Sequence, residues 1–161
     1  MFEDNGICIR SFELSDLVSV KNLIYRTIDV SYSTFYNDDA IAFFRNHHCN
    51  DNILKDSGEG YTIVLEKDNR IIGTGTILGD EIKRVFVDPE FQKRGFGKHV
   101  MRNLEAKAIS LRINRVKLDA SLPAKRFYDS LGYLTLETTF LEVDNGKRLD
   151  YYKMEKPLPE K

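Results

Sequence analysis

The stretch Val87-Asp88-Pro89-Glu90-Phe91-Gln92-Lys93-Arg94-Gly95-Phe96-Gly97-Lys98 decides how this chain folds. Upstream of it, residues 81–87 read as a strand. Asp88-Pro89 stops that strand, because proline cannot donate to a ladder. Downstream, Val100, Met101, Leu104, Ala108 and Leu111 share one face of a helix over 98–111. A further strand follows at 116–120. Strand, helix and strand in this order predict a right-handed crossover between parallel neighbours. Gly95 and Gly97 permit positive φ and close approach of a ligand to the backbone. The helix start adds unsatisfied N–H groups and a positive dipole end. Lys93, Arg94 and Lys98 add charge, and residues 83–102 hold 6 Lys+Arg against 2 Asp+Glu. The combination is a phosphate cradle. It is not a dinucleotide fingerprint, since Val100 stands where a third small residue is needed. It is not a P-loop either, since Gln92 and His99 replace the required glycine and Ser/Thr.

Working outward, residues 7–10 alternate as a first strand. Ser15 and Asp16 open a helix with Leu17, Val18, Leu23, Ile24 and Ile28 on its apolar face. Residues 31–37 read as a loop and 38–46 as a shorter helix. Residues 47–60 are polar, contain Gly58 and Gly60, and read as a connection. Residues 61–66, 70–78 and 81–87 form a three-strand meander with turns at 67–69 and 79–80. Gly73 and Gly75 inside it mark a bulge or close packing. Ser121 caps a helix with Pro123 in its first turn, and Gly132 suits its end. Residues 134–143 and 149–153 pair as a hairpin across Asn145-Gly146. Residues 156–159 read as an exposed tail. The order β-α-α-β-β-β-α-β-α-β-β predicts an α/β fold: one mixed sheet with helices packed on it, in a single domain over 1–161.

Composition narrows the function. With 161 residues, 42% apolar and 30% charged, the chain suits a globular domain with its own core. No apolar run approaches the ~20 residues of a membrane span. The first six residues, Met1-Phe2-Glu3-Asp4-Asn5-Gly6, are acidic and polar and do not read as a secretory signal. Two cysteines, Cys8 and Cys49, exclude a disulfide framework, and the expected location is cytoplasmic. Residues 1–82 carry 14 acidic and 7 basic residues, and residues 83–161 carry 11 and 17. That split does not suit a nucleic-acid binder, and no membrane partner is expected. It suits a protein that holds an anionic cofactor on one side and a cationic substrate on the other. His47-His48-Cys49 is not a metal site: adjacent histidines do not easily share one metal, and no second ligand pair has the right spacing.

The decisive stretch resembles the pyrophosphate motif of the GCN5-related N-acetyltransferase (GNAT) family, Gln/Arg-x-x-Gly-x-Gly/Ala after a strand ending Val-x-Pro. Ala124-Lys125-Arg126-Phe127-Tyr128-Asp129-Ser130-Leu131-Gly132-Tyr133 resembles the family's second motif, Ala-x-x-x-Tyr-x-x-x-Gly-Phe/Tyr. The spacing and element order fit that fold over nearly the whole chain. The resemblance implies an acetyl-coenzyme A-dependent N-acetyltransferase acting by direct attack of an amine in a ternary complex. It implies that the backbone of Val85, Phe86 and Val87 pairs with the pantetheine arm, on a strand that splays from its neighbour. The amides from Gln92 through Lys93, Arg94, Gly95, Phe96 and Gly97 to Lys98 would hold the pyrophosphate, and Tyr128 would lie near the thioester sulfur. Ser121 stands where many members have Asn, which removes a side-chain amide from the pantetheine arm.

The chemistry then assigns roles. An alkyl ammonium with pKa near ~10.4 must lose a proton before it attacks, and the departing thiolate must gain one. Glu81, eleven residues before Gln92, matches the catalytic glutamate of the family's histone-acetylating branch and is the expected base. Tyr128 is the expected acid. Asp29, Tyr32 and Tyr36 are candidate contacts for the acceptor, a small-molecule or peptide amine. The alternative is a non-catalytic acyl-coenzyme A-binding regulatory module of the same fold. Either would be a monomer or a homodimer.

Overall fold

The computed structural model describes residues 6–160. Met1 to Asn5, read above as acidic and polar, lie outside the described residues. Three strands, β2 (Tyr61–Lys67), β3 (Arg70–Leu78) and β4 (Glu81–Val87), form the expected antiparallel meander. Its turns use left-handed backbone at Asp68, Asn69 and Gly79. β1 (Ile7–Ser11) pairs antiparallel with β2. A crossover brings β5 (Arg115–Ser121) parallel to β4, and the hairpin of β6 (Leu134–Glu142) and β7 (Arg148–Pro157) completes the sheet. The strand order is β1-β2-β3-β4-β5-β7-β6.

Alternation along the strands sends two sets of side chains to opposite faces. Ile63, Leu65, Ile72 and Ile82 pack with Val100, Met101 and Leu104 of the crossover helix α4 (Phe96–Ser110). Val64 and Phe86 pack on the other side, against Val20, Ile24 and Ile28 of α1 (Leu17–Ser31). α4 lies close on the sheet because Gly75 has no side chain. A Cβ there would stand 2.8 Å from Val100 Cγ1 and 2.9 Å from Leu104 Cδ1. The α2 helix (Asp38–His47) begins at Asn37, whose side chain accepts from the Ala40 N–H at 2.9 Å. The short helix α5 (Lys125–Ser130) follows a single 3₁₀ turn after β5.

Two expectations are corrected. The polar segment read as a connection holds a third helix, α3 (Asn50–Glu59), on the α1 side of the sheet. Only Ile53 and Asp56 of α3 are fully buried, so no apolar stripe advertises it. Asp56 is held inside by charge pairing, a contact no periodicity encodes. The tail is not an exposed end. β7 runs to Pro157 alongside Arg115, and Leu158 is buried in the main core with its N–H donating to Asn114 O at 2.8 Å. Burial of one leucine outweighs the local disorder that two prolines suggest.

Leu158→Ala is expected to lower the unfolding free energy by about 2 kcal/mol. Urea denaturation measures it; a loss under about 0.5 kcal/mol would mean that the tail does not dock.

Candidate active site

β4 is irregular where the site forms. Opposite β3, Lys83 faces Thr76 and Phe86 faces Thr74, leaving Arg84 and Val85 against one residue, Gly75. Arg84 takes up this bulge with φ +53°. A non-glycine residue in that conformation needs support from its surroundings. Support comes from α3: Asp56 pairs with the Arg84 guanidinium and with Lys83 Nζ at 3.2 Å. Burial works against the Asp56 charge, but Arg84 and then Lys83 hold the carboxyl below its usual range.

On its other edge β4 meets β5 in register at only one position, Glu81 opposite Lys117. There Lys117 N–H donates to Asp80 O at 3.0 Å. Beyond it the strands part, while β5 stays paired with β7 from Arg115 to Ser121. A cavity of about 240 Å³ opens in the gap. Glu81, Val85, Phe86, Ser121, Tyr128 and Tyr32 all line it, so candidates from β4, β5, α5 and the loop after α1 converge.

Tyr128 is buried, and its ring is wedged between Phe127 (5.1 Å) and Tyr133 (5.7 Å). Burial, with a smaller contribution from Tyr32, pushes the phenol well above its ordinary value. It is a proton donor throughout the neutral range. Ser121 occupies the cap position before α5 but makes no side-chain cap bond. Its Oγ is instead buried at the cavity without a hydrogen-bond partner. The Tyr32 hydroxyl stands near it without meeting hydrogen-bond geometry, and burial pushes that phenol up too.

Two of the three residues expected around the acceptor are elsewhere. The Tyr36 hydroxyl donates to Asp150 O (2.7 Å) and accepts from Leu122 N–H (2.8 Å). It ties the α1–α2 loop to β7 and to the end of β5. Asp29 pairs with Arg45 on the exposed surface. Neither lines the cavity. Sequence reading missed Arg84, His47 and His48, which do line it. The two histidines were weighed only as metal ligands, and the adjacency Lys83-Arg84 carried no sign of a bulge.

The glycine loop sits at the far end of the gap. Asp88 is buried, caps the Glu90 N–H (3.0 Å), and pairs with Arg26 (3.3 Å) and Arg70 (3.1 Å). Gln92 Nε2 donates to Val87 O at 2.9 Å, fastening the loop to the end of β4. Phe91 lies within 5.6 Å of Arg70 and 5.4 Å of Arg94. Lys93 (φ +63°) and Gly95 (φ +86°) turn the chain into α4. The two glycines serve different ends. A Cβ on Gly97 would lie 3.0 Å from Phe127 Cζ, whereas a Cβ on Gly95 would enter open space. That open space at a helix N-terminus, flanked by Lys93, Arg94 and Lys98, fits a diphosphate. The unpaired edge of β4 and the orphaned Ser121 Oγ fit a long amide-bearing arm. The site thus accommodates coenzyme A.

A second, larger concavity of about 500 Å³ lies over Arg10, Asp16, Arg26, Glu66, Arg70 and Asp88. Its charged groups pair with one another, and it shares no residue with the cavity at β4 and β5. Among the described residues, no helix is long and apolar enough to cross a membrane.

Comparison with known proteins agrees with this geometry. No curated protein matches the chain by sequence. Among solved structures, a GCN5-related N-acetyltransferase from Rhodopseudomonas palustris superposes with TM-score 0.87 at 19% identity, covering 98% of this chain and 99% of that one. The PaiA N-acetyltransferase from Thermoplasma acidophilum, solved with coenzyme A, gives 0.71 at 17% identity, covering 94% and 98%. The ribosomal-protein-S18-alanine N-acetyltransferase from Escherichia coli gives 0.71 at 16% identity, covering 96% of each chain. Residues 32–157 match the family described as the acetyltransferase (GNAT) domain. The chain therefore belongs to the GNAT acetyltransferase family, whose cofactor is acetyl-coenzyme A.

Proposed function

We propose that this protein is an N-acetyltransferase that moves an acetyl group from acetyl-coenzyme A to an amine in a ternary complex. The observation that carries the reading is the parting of β4 from β5 below the α4 N-terminus, with Tyr128 buried beside the gap. When bound, acetyl-coenzyme A supplies a thioester carbon open to attack. The backbone of Val85, Phe86 and Val87 holds the pantetheine arm, and the amides from Gln92 to Lys98 hold the diphosphate. Glu81, half-buried at the closed end of the gap, takes the proton from the acceptor ammonium directly or through water. A backbone N–H of β4 at the bulge polarises the thioester carbonyl. Tyr128 donates the proton to the departing sulfur, a role its raised pKa suits. Cys8 and Cys49 are both free, which supports a cytoplasmic setting.

Tyr128→Phe is expected to lower turnover about 100-fold while coenzyme A affinity, read by calorimetry, stays within a few-fold. Unchanged turnover removes Tyr128 as the acid; coenzyme A binding with no turnover in the wild type favours a binding module. Because burial raises the Tyr128 pKa, the proton donor persists on the alkaline side. The wild-type kcat is therefore expected to hold its plateau from about pH 8 to about pH 10, through the range where an ordinary phenol begins to ionise. A fall across that range would mean an unperturbed donor.

Gly95→Val tests the cradle. It forces a β-branched residue to φ +86° and fills the open space there. Acetyl-coenzyme A binding is expected to weaken at least about tenfold. Normal binding would place the diphosphate elsewhere.

A further inference from the structure

The acceptor side of the cavity carries charge that acetyl transfer itself does not use. Lys83 and Arg84 are consecutive, and a regular strand would send them to opposite faces. The left-handed backbone of Arg84 lifts that constraint, and both side chains reach one carboxylate, Asp56. Two cations share one anion. The Arg84 side chain is 4% exposed, and its Nε is buried without a hydrogen-bond partner. Nε–H donates and never accepts, so its partner must be an acceptor.

Beside it, His48 Nδ1 is also buried and unpartnered, its ring edge-on to Phe86 at 5.2 Å. Burial first, then Arg84, keeps His48 well below the usual imidazole range, and His47 is lowered for the same reasons. At both rings Arg84 and Lys83 outweigh the opposing pull of Asp56. With two cations against the one Asp56 carboxylate, this end of the cavity carries excess positive charge. Glu81 and Asp119 also line the cavity, Asp119 adding its pull at His47, and among the described residues neither makes an ion pair with Lys83 or Arg84. A volume of about 240 Å³ lies below the usual range for drug-sized ligands and suits a small guest.

We propose that the acceptor is a small primary amine bearing its own carboxylate, which docks against Arg84 Nε, Lys83 and His48 while the amine faces Glu81. The proposal rests on the acetyl-transfer reading and names its substrate class. The alternative occupant, a neutral or purely cationic amine, leaves the Arg84 donor unmatched.

Calorimetric titration of the coenzyme A-saturated protein with the standard L-amino acids and 4-aminobutyrate, each against its carboxamide, tests this. The acid and amide differ in charge and little in shape. At least one acid is expected to bind about tenfold or more tightly than its amide. Lys83→Met leaves the Arg84–Asp56 pair in place and is expected to bring that ratio within about threefold. If no acid outbinds its amide, the proposal is overturned. A preference unmoved in both Lys83→Met and Arg84→Gln overturns it as well. The same titrations without coenzyme A separate the two readings. Acid-selective binding by a protein that fails to bind coenzyme A keeps the carboxylate site and sinks acetyl transfer. Coenzyme A binding with no acid preference does the reverse.

Discussion

Asp56 holding Lys83 and Arg84 is the contact on which the site depends. A buried carboxylate between two cations is retained only if both charges remain paired, and removing one partner of such a pair typically costs about 3–5 kcal/mol. Here the pairing fixes Arg84 in left-handed backbone, and that residue is the bulge. Across the bulged stretch β4 does not pair with β5, which stays paired with β7 at seven register positions. The gap between them is the cavity.

The rest of the fold frames that gap. Gly75 lets α4 settle on the sheet, so the helix N-terminus arrives at the open end of the strands. Gly97 lets Phe127 press on the first turn of the same helix, which joins the glycine loop to the α5 segment carrying Tyr128. Asp88 and Gln92 tie the loop back to α1, β3 and the end of β4. Tyr36 braces the opposite wall through Leu122 and Asp150. The glycine loop and the wall beside Tyr36 are thus held by different contacts, and a change in one need not disturb the other.

Local patterns reach some parts of this and not others. The meander, the crossover and the Asn145-Gly146 hairpin all follow from short-range chemistry: alternation, turn residues, a proline stop. The glycine loop was legible for the same reason, since positive φ and a helix start are local properties. α3 was not, because its two buried residues are an isoleucine and a charged aspartate whose partners lie about 28 residues on. Tyr36 sits in the aromatic cluster that suggested an acceptor site, yet its hydroxyl is consumed by backbone groups more than 80 residues away. Composition could mark aromatics and acids as available; it could not say which were already paired.

By itself, the sequence determined the order of the strands, the α1, α2, α4 and α5 helices, the parallel crossover and the glycine loop, because each is set by residues adjacent in the chain. Tertiary structure alone decided where β4 leaves β5, which side chains line the opening, and that Arg84 and His48 face it with unmet hydrogen-bonding capacity. Those outcomes depend on pairings such as Asp56 with Arg84, between segments that meet only once the chain has folded.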